Sequence, residues 1–160
     1  MNFFKFSVLI LTFLVIGCGN STKTEEKSIY KRTKIEKNEI KQAYNITPVD
    51  LNNKGLGPIK DYSFEVEINE GFALEGKKIF NAKCTACHNV NRRLIGPSMK
   101  GIYERRSPEW VMNIMLNPDQ MLKEDPIGKA LLKEYNNIIM INQNLSVEEA
   151  EKLAEYFRTL

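Results

Sequence analysis

Histidine is nearly missing from this 160-residue chain: it occurs once, at position 88. No site that needs two imidazoles can be built from one copy. Cysteine occurs three times, too few for a disulfide scaffold. Strong charge of one sign is lacking as well. The formal net charge is +3, without the concentrated basic stripe that accompanies nucleic-acid binding. Long apolar runs are absent too. The most apolar stretch, Val8 to Ile16, is far short of the roughly 20 residues of a comfortable membrane span. No internal repeat is visible. What is present suits a globular core: hydrophobic residues make up 42% and charged residues 27%. The length fits one domain of ordinary size with extra segments.

The extra segments come first. Lys5, the apolar stretch Val8 to Ile16 and a small residue, Gly17, have the form of an export signal. Val15-Ile16-Gly17-Cys18 resembles a bacterial lipobox. That resemblance implies cleavage after residue 17 and diacylglycerol on Cys18, and two or three acyl chains anchor stably where one does not. A soluble exported protein with a free or paired Cys18 is the plainer reading, and a retained signal-anchor helix the weaker rival. Residues 18–48 are polar, with sparse apolar residues at Ile29, Tyr30, Ile35, Ile40 and Tyr44. They bury too little to offset ordering entropy and read as a tether, with at most a transient helix over Ile35 to Tyr44. Residues 49–69 read as an extended arm or loop. Gly55, Gly57 and Pro58 punctuate it, and Phe64 to Ile68 alternates as a short strand or an arm laid on the domain. The domain itself is placed at residues 70–160.

Its chemistry lies in Cys84-Thr85-Ala86-Cys87-His88. A C-x-x-C-H run reads as covalent haem attachment. Two thioethers must meet two vinyl groups on neighbouring pyrrole edges, and a two-residue spacer sets that span. The histidine that follows comes under the iron. A thioredoxin-like thiol pair needs a βαβ setting, and none is visible here. A structural zinc site needs four ligands, and this stretch supplies three, with no further Cys or His in the domain. A disulfide between the two cysteines would close a strained short loop.

Helix starts surround this motif. Gly71 to Phe80 is helix-like. Ser107-Pro108 and Asp125-Pro126 each put a cap residue before a first-turn proline, which predicts helices to about Leu116 and Tyr135. Ser146-Val147-Glu148-Glu149 is a capping box. It opens a helix with Val147, Ala150, Leu153, Ala154 and Phe157 on one face. The expected fold is all-α.

With these residues in hand, Phe72 to Leu160 is similar to the class I monohaem cytochromes c. The resemblance implies helices packed around one covalent haem c. It pairs Gly76 and Phe80 of the first helix with Tyr156 of the last. In Gly96-Pro97 it implies that the Pro97 carbonyl accepts the ring N–H of His88, orienting the imidazole. For the sixth iron position the sequence leaves a methionine, a lysine or an open site. Met112 and Met115 fall in a helix, where a core role is the default. Met99 lies near Pro97 on the histidine side. Met121, read as a loop residue, competes. Met140, in the irregular stretch before the last helix, stands where the family keeps its methionine ligand, and His88 and Met140 are thus the expected iron ligands. Met/His ligation raises the reduction potential and leaves no place for a substrate.

The resemblance extends to a bacterial lipoprotein type. Gly96 to Gly101, Arg105 to Trp110 and Tyr156 to Leu160 are similar to cytochromes that accompany nitrous oxide reductase in Bacteroidetes-type bacteria. The implied function is that of an electron carrier and not an enzyme, facing the periplasm from a lipid anchor in a Gram-negative envelope. Its expected donor is a quinol-oxidising membrane complex. Its expected acceptor is nitrous oxide reductase or a terminal oxidase. The alternative is a haem-based enzyme or gas sensor with a labile sixth ligand, although the second C-x-x-C-H of bacterial c-type peroxidases is absent. Lys83, Arg92, Arg93, Lys100, Arg105 and Arg106, against Glu104 alone, are open to three uses: steering an acidic partner, neutralising haem propionates, or simple solvation.

Overall fold

The computed structural model describes residues 47–160. The export signal, Cys18, the tether up to residue 46 and the helix expected over Ile35 to Tyr44 lie outside the described residues. Five α-helices make up the regular structure: α1 (Glu70–Lys83), α2 (Pro108–Leu116), α3 (Pro118–Glu124), α4 (Pro126–Glu134) and α5 (Val147–Arg158). A 3₁₀ turn at Ile102–Glu104 precedes α2. The described residues contain no strand, only a single bridge between Asp50 and Arg106.

The helix ends follow local chemistry. Ser107 accepts from Trp110 N and Asp125 accepts from Gly128 N, each one residue before a proline whose missing N–H costs nothing at that place. Ser146 and Glu149 form the full reciprocal box, at 3.1 and 2.9 Å. Asn69 caps α1. One helix was not expected. Pro118–Glu124 is α3, so Met121 belongs to a helix and not to a loop. The signal was present in Asn117-Pro118, which repeats the polar-then-proline grammar of the other two starts. Here, however, Asn117 makes no side-chain cap bond to the helix.

The core is set by α1 crossing α5. On α1 the buried residues are Ala73, Gly76 and Phe80, the i, i+3, i+7 stripe of one helix face. On α5 they include Ala150, Leu153, Ala154 and Phe157. Gly76 makes the crossing possible. A Cβ there would lie 2.0 Å from the Lys152 carbonyl oxygen, which belongs to rigid backbone. Just beyond the crossing, Phe80 meets Tyr156 at 5.6 Å and Phe157 edge-on at 5.9 Å. Burial of such a ring contributes about 2–3 kcal/mol.

The arm at residues 47–69 is extended and unpaired as a strand, and polar latches fix it to the helices. Asn113 is fully buried in α2. It accepts from Ile59 N at 3.0 Å and donates to Lys54 O and Ile59 O at 2.9 and 2.8 Å. Near its end, Arg158 donates to the carbonyls of Glu65, Val66 and Glu67 and lies 4.6 Å over the Phe64 ring. The alternation Phe64 to Ile68 thus belongs to a chain laid along α5, with Phe64 edge-on to Tyr62 and Tyr103 while Val66 points to solvent.

Gly76→Ala forces α1 off α5. It is expected to lower the unfolding free energy by about 3 kcal/mol, measured by denaturant titration of the haem-loaded protein. A loss within about 0.5 kcal/mol would mean that the two helices separate at no cost.

Candidate haem site

Cys84 ends α1, and its carbonyl accepts from Cys87 N at 3.1 Å and His88 N at 2.9 Å. This tight turn reverses the chain at once. It brings Cys84, Cys87 and His88 to one cleft, where they are joined by Pro97, Trp110 and Met140. The cleft holds about 1310 Å³ of space between protein atoms, solvent at its mouth included. Most of its remaining wall is aliphatic, from Val111 and Ile114 of α2, Leu122 of α3, Leu131 of α4 and the stretch Ile138 to Ile141.

The loop after His88 returns under the imidazole. Gly96 N donates to Cys87 O at 2.8 Å, and Lys100 N to Val90 O at 2.9 Å. The loop passes so close that a Cβ on Gly96 would lie 2.6 Å from His88 Cε1. The next carbonyl, Pro97 O, is 3.0 Å from His88 Nδ1. A carbonyl only accepts, so Nδ1 carries the proton. Burial pushes the His88 pKa down, and the Pro97 carbonyl opposes this only in part. The ring is therefore neutral, with its lone pair on Nε2. That is the form in which imidazole binds a metal, and a hydrogen bond on the other nitrogen raises its basicity.

Cys84 is half-buried and Cys87 exposed, and no disulfide joins them. Burial pushes the Cys84 thiol up to about 11. Redox-active C-x-x-C pairs depress their thiol pKa instead, so the thioredoxin-like alternative finds no support. Nor are the donors of a zinc site assembled. Among the described residues no group of three or more His, Cys, Asp or Glu side chains is placed around a common point.

The methionines separate by position. Met121 is fully buried, and its Sδ accepts from Leu56 N at 2.9 Å beneath the arm. It does not line the cleft. Met112 is also fully buried and outside it. Met99, Met115 and Met140 line it: Met115 is on α2, Met99 is on the loop that returns past His88, and Met140 stands on the separate loop between α4 and α5. Asn136, Asn137 and Asn144, in left-handed conformations at φ 58, 59 and 50°, turn the chain at either end of that loop. Asparagine is among the few side chains that adopt this region readily.

The basic residues between 83 and 106 are mostly internal fasteners. Lys83 pairs with Glu149 at 3.0 Å. Arg93 donates to Glu134 O at 2.7 Å and stacks 4.0 Å over Tyr135. Arg105 holds the carbonyls of Ser98 and Lys100. Arg106 is buried. Arg92 and Lys100 alone are exposed without an ion pair among the described residues.

Helices enclosing an apolar cleft, with two thiols and a neutral imidazole at one end, define a small haem protein of the covalently attached kind. The comparisons agree. The cytochrome c family model matches residues 73–160, and the chain belongs to that family. A cytochrome c from Rhodothermus marinus has 40% sequence identity and a TM-score of 0.62, over 64% of this chain and 88% of that one. An engineered form of the Rhodothermus marinus protein has 39% identity and a TM-score of 0.62, over 64% and 89%. No curated protein matches the chain. The cofactor is one covalently bound haem c, and the protein is an electron-transfer haem protein. The cleft fits such a group: its walls are apolar, it is open at one side, and sulfur and nitrogen donors face it together.

Gly96→Ala crowds the imidazole and pulls it from Pro97. The expected result is haem-loaded protein less stable by about 2 kcal/mol with a shifted Soret maximum. An unchanged spectrum and stability would show that the loop yields without moving His88.

Proposed function

We propose that this chain is a lipid-anchored, periplasm-facing cytochrome c that relays single electrons through a haem ligated by His88 and Met140. One observation carries the reading: the neutral His88 imidazole and the thioether of Met140, from loops 52 positions apart in sequence, line the same apolar cleft. Haem c in that cleft supplies a one-electron couple at its iron. Cys84 and Cys87 hold the ring through two thioether bonds. His88 presents Nε2 from one loop, held in register by Pro97. Met140 presents its sulfur from the other, between turns closed by asparagines. With the His88 imidazole and the Met140 thioether as its iron ligands, a bound haem would favour the ferrous state relative to harder donors. The aliphatic wall excludes water and offers few dipoles that must reorient when the charge changes, which favours transfer over bond-making chemistry.

The lipobox resemblance at Cys18 and the polar composition of residues 18–48 support a domain tethered to a membrane surface, within reach of integral redox complexes. A quinol-oxidising complex is the proposed donor. Nitrous oxide reductase is the proposed acceptor, on the similarity of the segments around Gly96, Arg105 and Tyr156, with a terminal oxidase as the other choice. The clustered basic stretch contributes little to steering in this reading, since most of its members are already engaged within the protein.

Met140→Ala should abolish the red-region charge-transfer band of the ferric protein, while Met121→Ala should leave it intact at some cost in stability. The reverse pattern would refute the ligand assignment, and a wild-type spectrum without the band would favour an open or labile sixth site. For the anchor, Cys18→Ser should move the haem-loaded protein from the membrane fraction to the soluble fraction of a host with lipoprotein-processing enzymes. Retention at the wild-type level would rule out lipid as the anchor.

A further inference from the structure

The loop that carries Met140 has no fastening of its own. Among the described residues, no hydrogen bond leaves the stretch Ile139 to Leu145. Gln143 Nε2 donates to Ile141 O and Asn142 Oδ1 accepts from Asn144 N, both within it. The place of the loop is therefore set at its two ends. The far end opens α5, which the crossing at Gly76 and the Ser146–Glu149 box hold fast. The near end is α4, and α4 is lightly seated. Its buried residues, Ile127 and Gly128, both lie in its first turn, and none in its last turn is buried.

What holds the end of α4 is Glu134. Its carboxylate accepts from Thr47 N at 2.8 Å and from Thr47 Oγ1 at 2.7 Å, and Thr47 is buried. Its backbone carbonyl accepts from Arg93 Nη2 at 2.7 Å, and Arg93 Nη1 lies 3.7 Å from Glu134 Oε1. The same guanidinium covers the Tyr135 ring at 4.0 Å. Arg93 is exposed, so solvent screens the ion pair, and the bond to the carbonyl and the stacking count for more. A glutamate in the last position of a helix opposes the helix dipole, so helix preference does not account for it. Its partners do, and both are remote. Thr47 comes from the arm, ahead of the family-matched region, and Arg93 from the loop that follows His88.

We propose that Glu134 is a positioning residue for the sixth ligand: gripped by Thr47 and Arg93, it anchors the end of α4 and so keeps the Met140 sulfur in the cleft with His88. The inference rests on the reading of Met140 as that ligand. Through Arg93 the segment that carries the imidazole is tied to the segment that carries the thioether, and the two keep their spacing. Through Thr47 the start of the arm shares in the same grip. With the grip released, the end of α4 moves outward, Met140 leaves more often, and the sixth position opens to small donors. A ligand on a loop keeps its geometry only as well as its support does.

The test is the binding of imidazole to the ferric, haem-loaded, full-length protein. Imidazole needs the sixth position, so at saturating concentration the observed rate reads the release of Met140. Arg93→Met and Glu134→Ala are each expected to raise this plateau about tenfold, with the red charge-transfer band still present before imidazole is added. Thr47→Val, which keeps the backbone donor, should raise it less. Arg158→Met loosens the arm from α5 and touches neither loop. It should lower the unfolding free energy and leave the plateau unchanged. A wild-type plateau in either Arg93→Met or Glu134→Ala would overturn the proposal. So would an equal rise in Arg158→Met, because general loosening would then account for the effect. If Glu134→Ala does not load haem, Arg93→Met and Thr47→Val decide: a wild-type plateau in either overturns the grip. Failure of the Met140 reading looks different, since Met140→Ala would then bind imidazole at the wild-type rate with the band undisturbed.

Discussion

The contact of α1 with α5 at Gly76 is the constraint from which the site follows. Two helix backbones approach until no side chain fits between them, and the aromatic residues one turn later, Phe80 against Tyr156 and Phe157, close the joint. The end of α1 is thereby fixed in position and direction. Cys84 is its C-cap, so the attachment turn leaves the helix at a determined place. Were the crossing looser, the thiols and the imidazole would still be near each other, since they share one turn. Their aim at the opposite wall would be lost. Rigid support beneath a site is what keeps the geometry of its ligands.

From that fixed end, the protein builds a cleft from one short motif and several distant partners. His88 is held by a carbonyl nine residues on. Met140 arrives on a loop between α4 and α5. The apolar wall comes from α2, α3 and α4, and these three short helices are braced from outside by the arm through Asn113, Asp125 and Met121. The polar atoms that do this are buried and satisfied, as buried polar groups must be if they are to stabilise rather than cost. A haem domain of this size has little core to spare, and the arm supplies additional fastening to α2 through Asn113 and to α5 through Arg158.

Much of this was legible from the residues alone. The C-x-x-C-H turn is local, because five consecutive residues carry the spacing the cofactor needs. The starts of α2, α4 and α5 were equally readable, since a cap and a first-turn proline act within one turn. The third proline start, at Asn117-Pro118, is harder to read because Asn117 makes no side-chain cap bond, and from sequence Met121 reads as a loop residue. Nothing near Met121 in sequence indicates that Leu56 N lies on its sulfur 65 positions away. The basic stretch from Lys83 to Arg106 looked like a surface feature for the same reason: Glu149, Glu134 and Pro48, which engage it, are remote in sequence.

The sequence by itself determined the class of cofactor, the two thiols and the imidazole that meet it, and the helical character of the chain, because each depends on chemistry within a few residues. Only the tertiary structure decided which methionines reach the cleft, that the arm packs on the helices, and that Arg106 is buried. These depend on which surfaces pack against one another. Packing is settled by the whole set of buried contacts at once, and no local pattern encodes it.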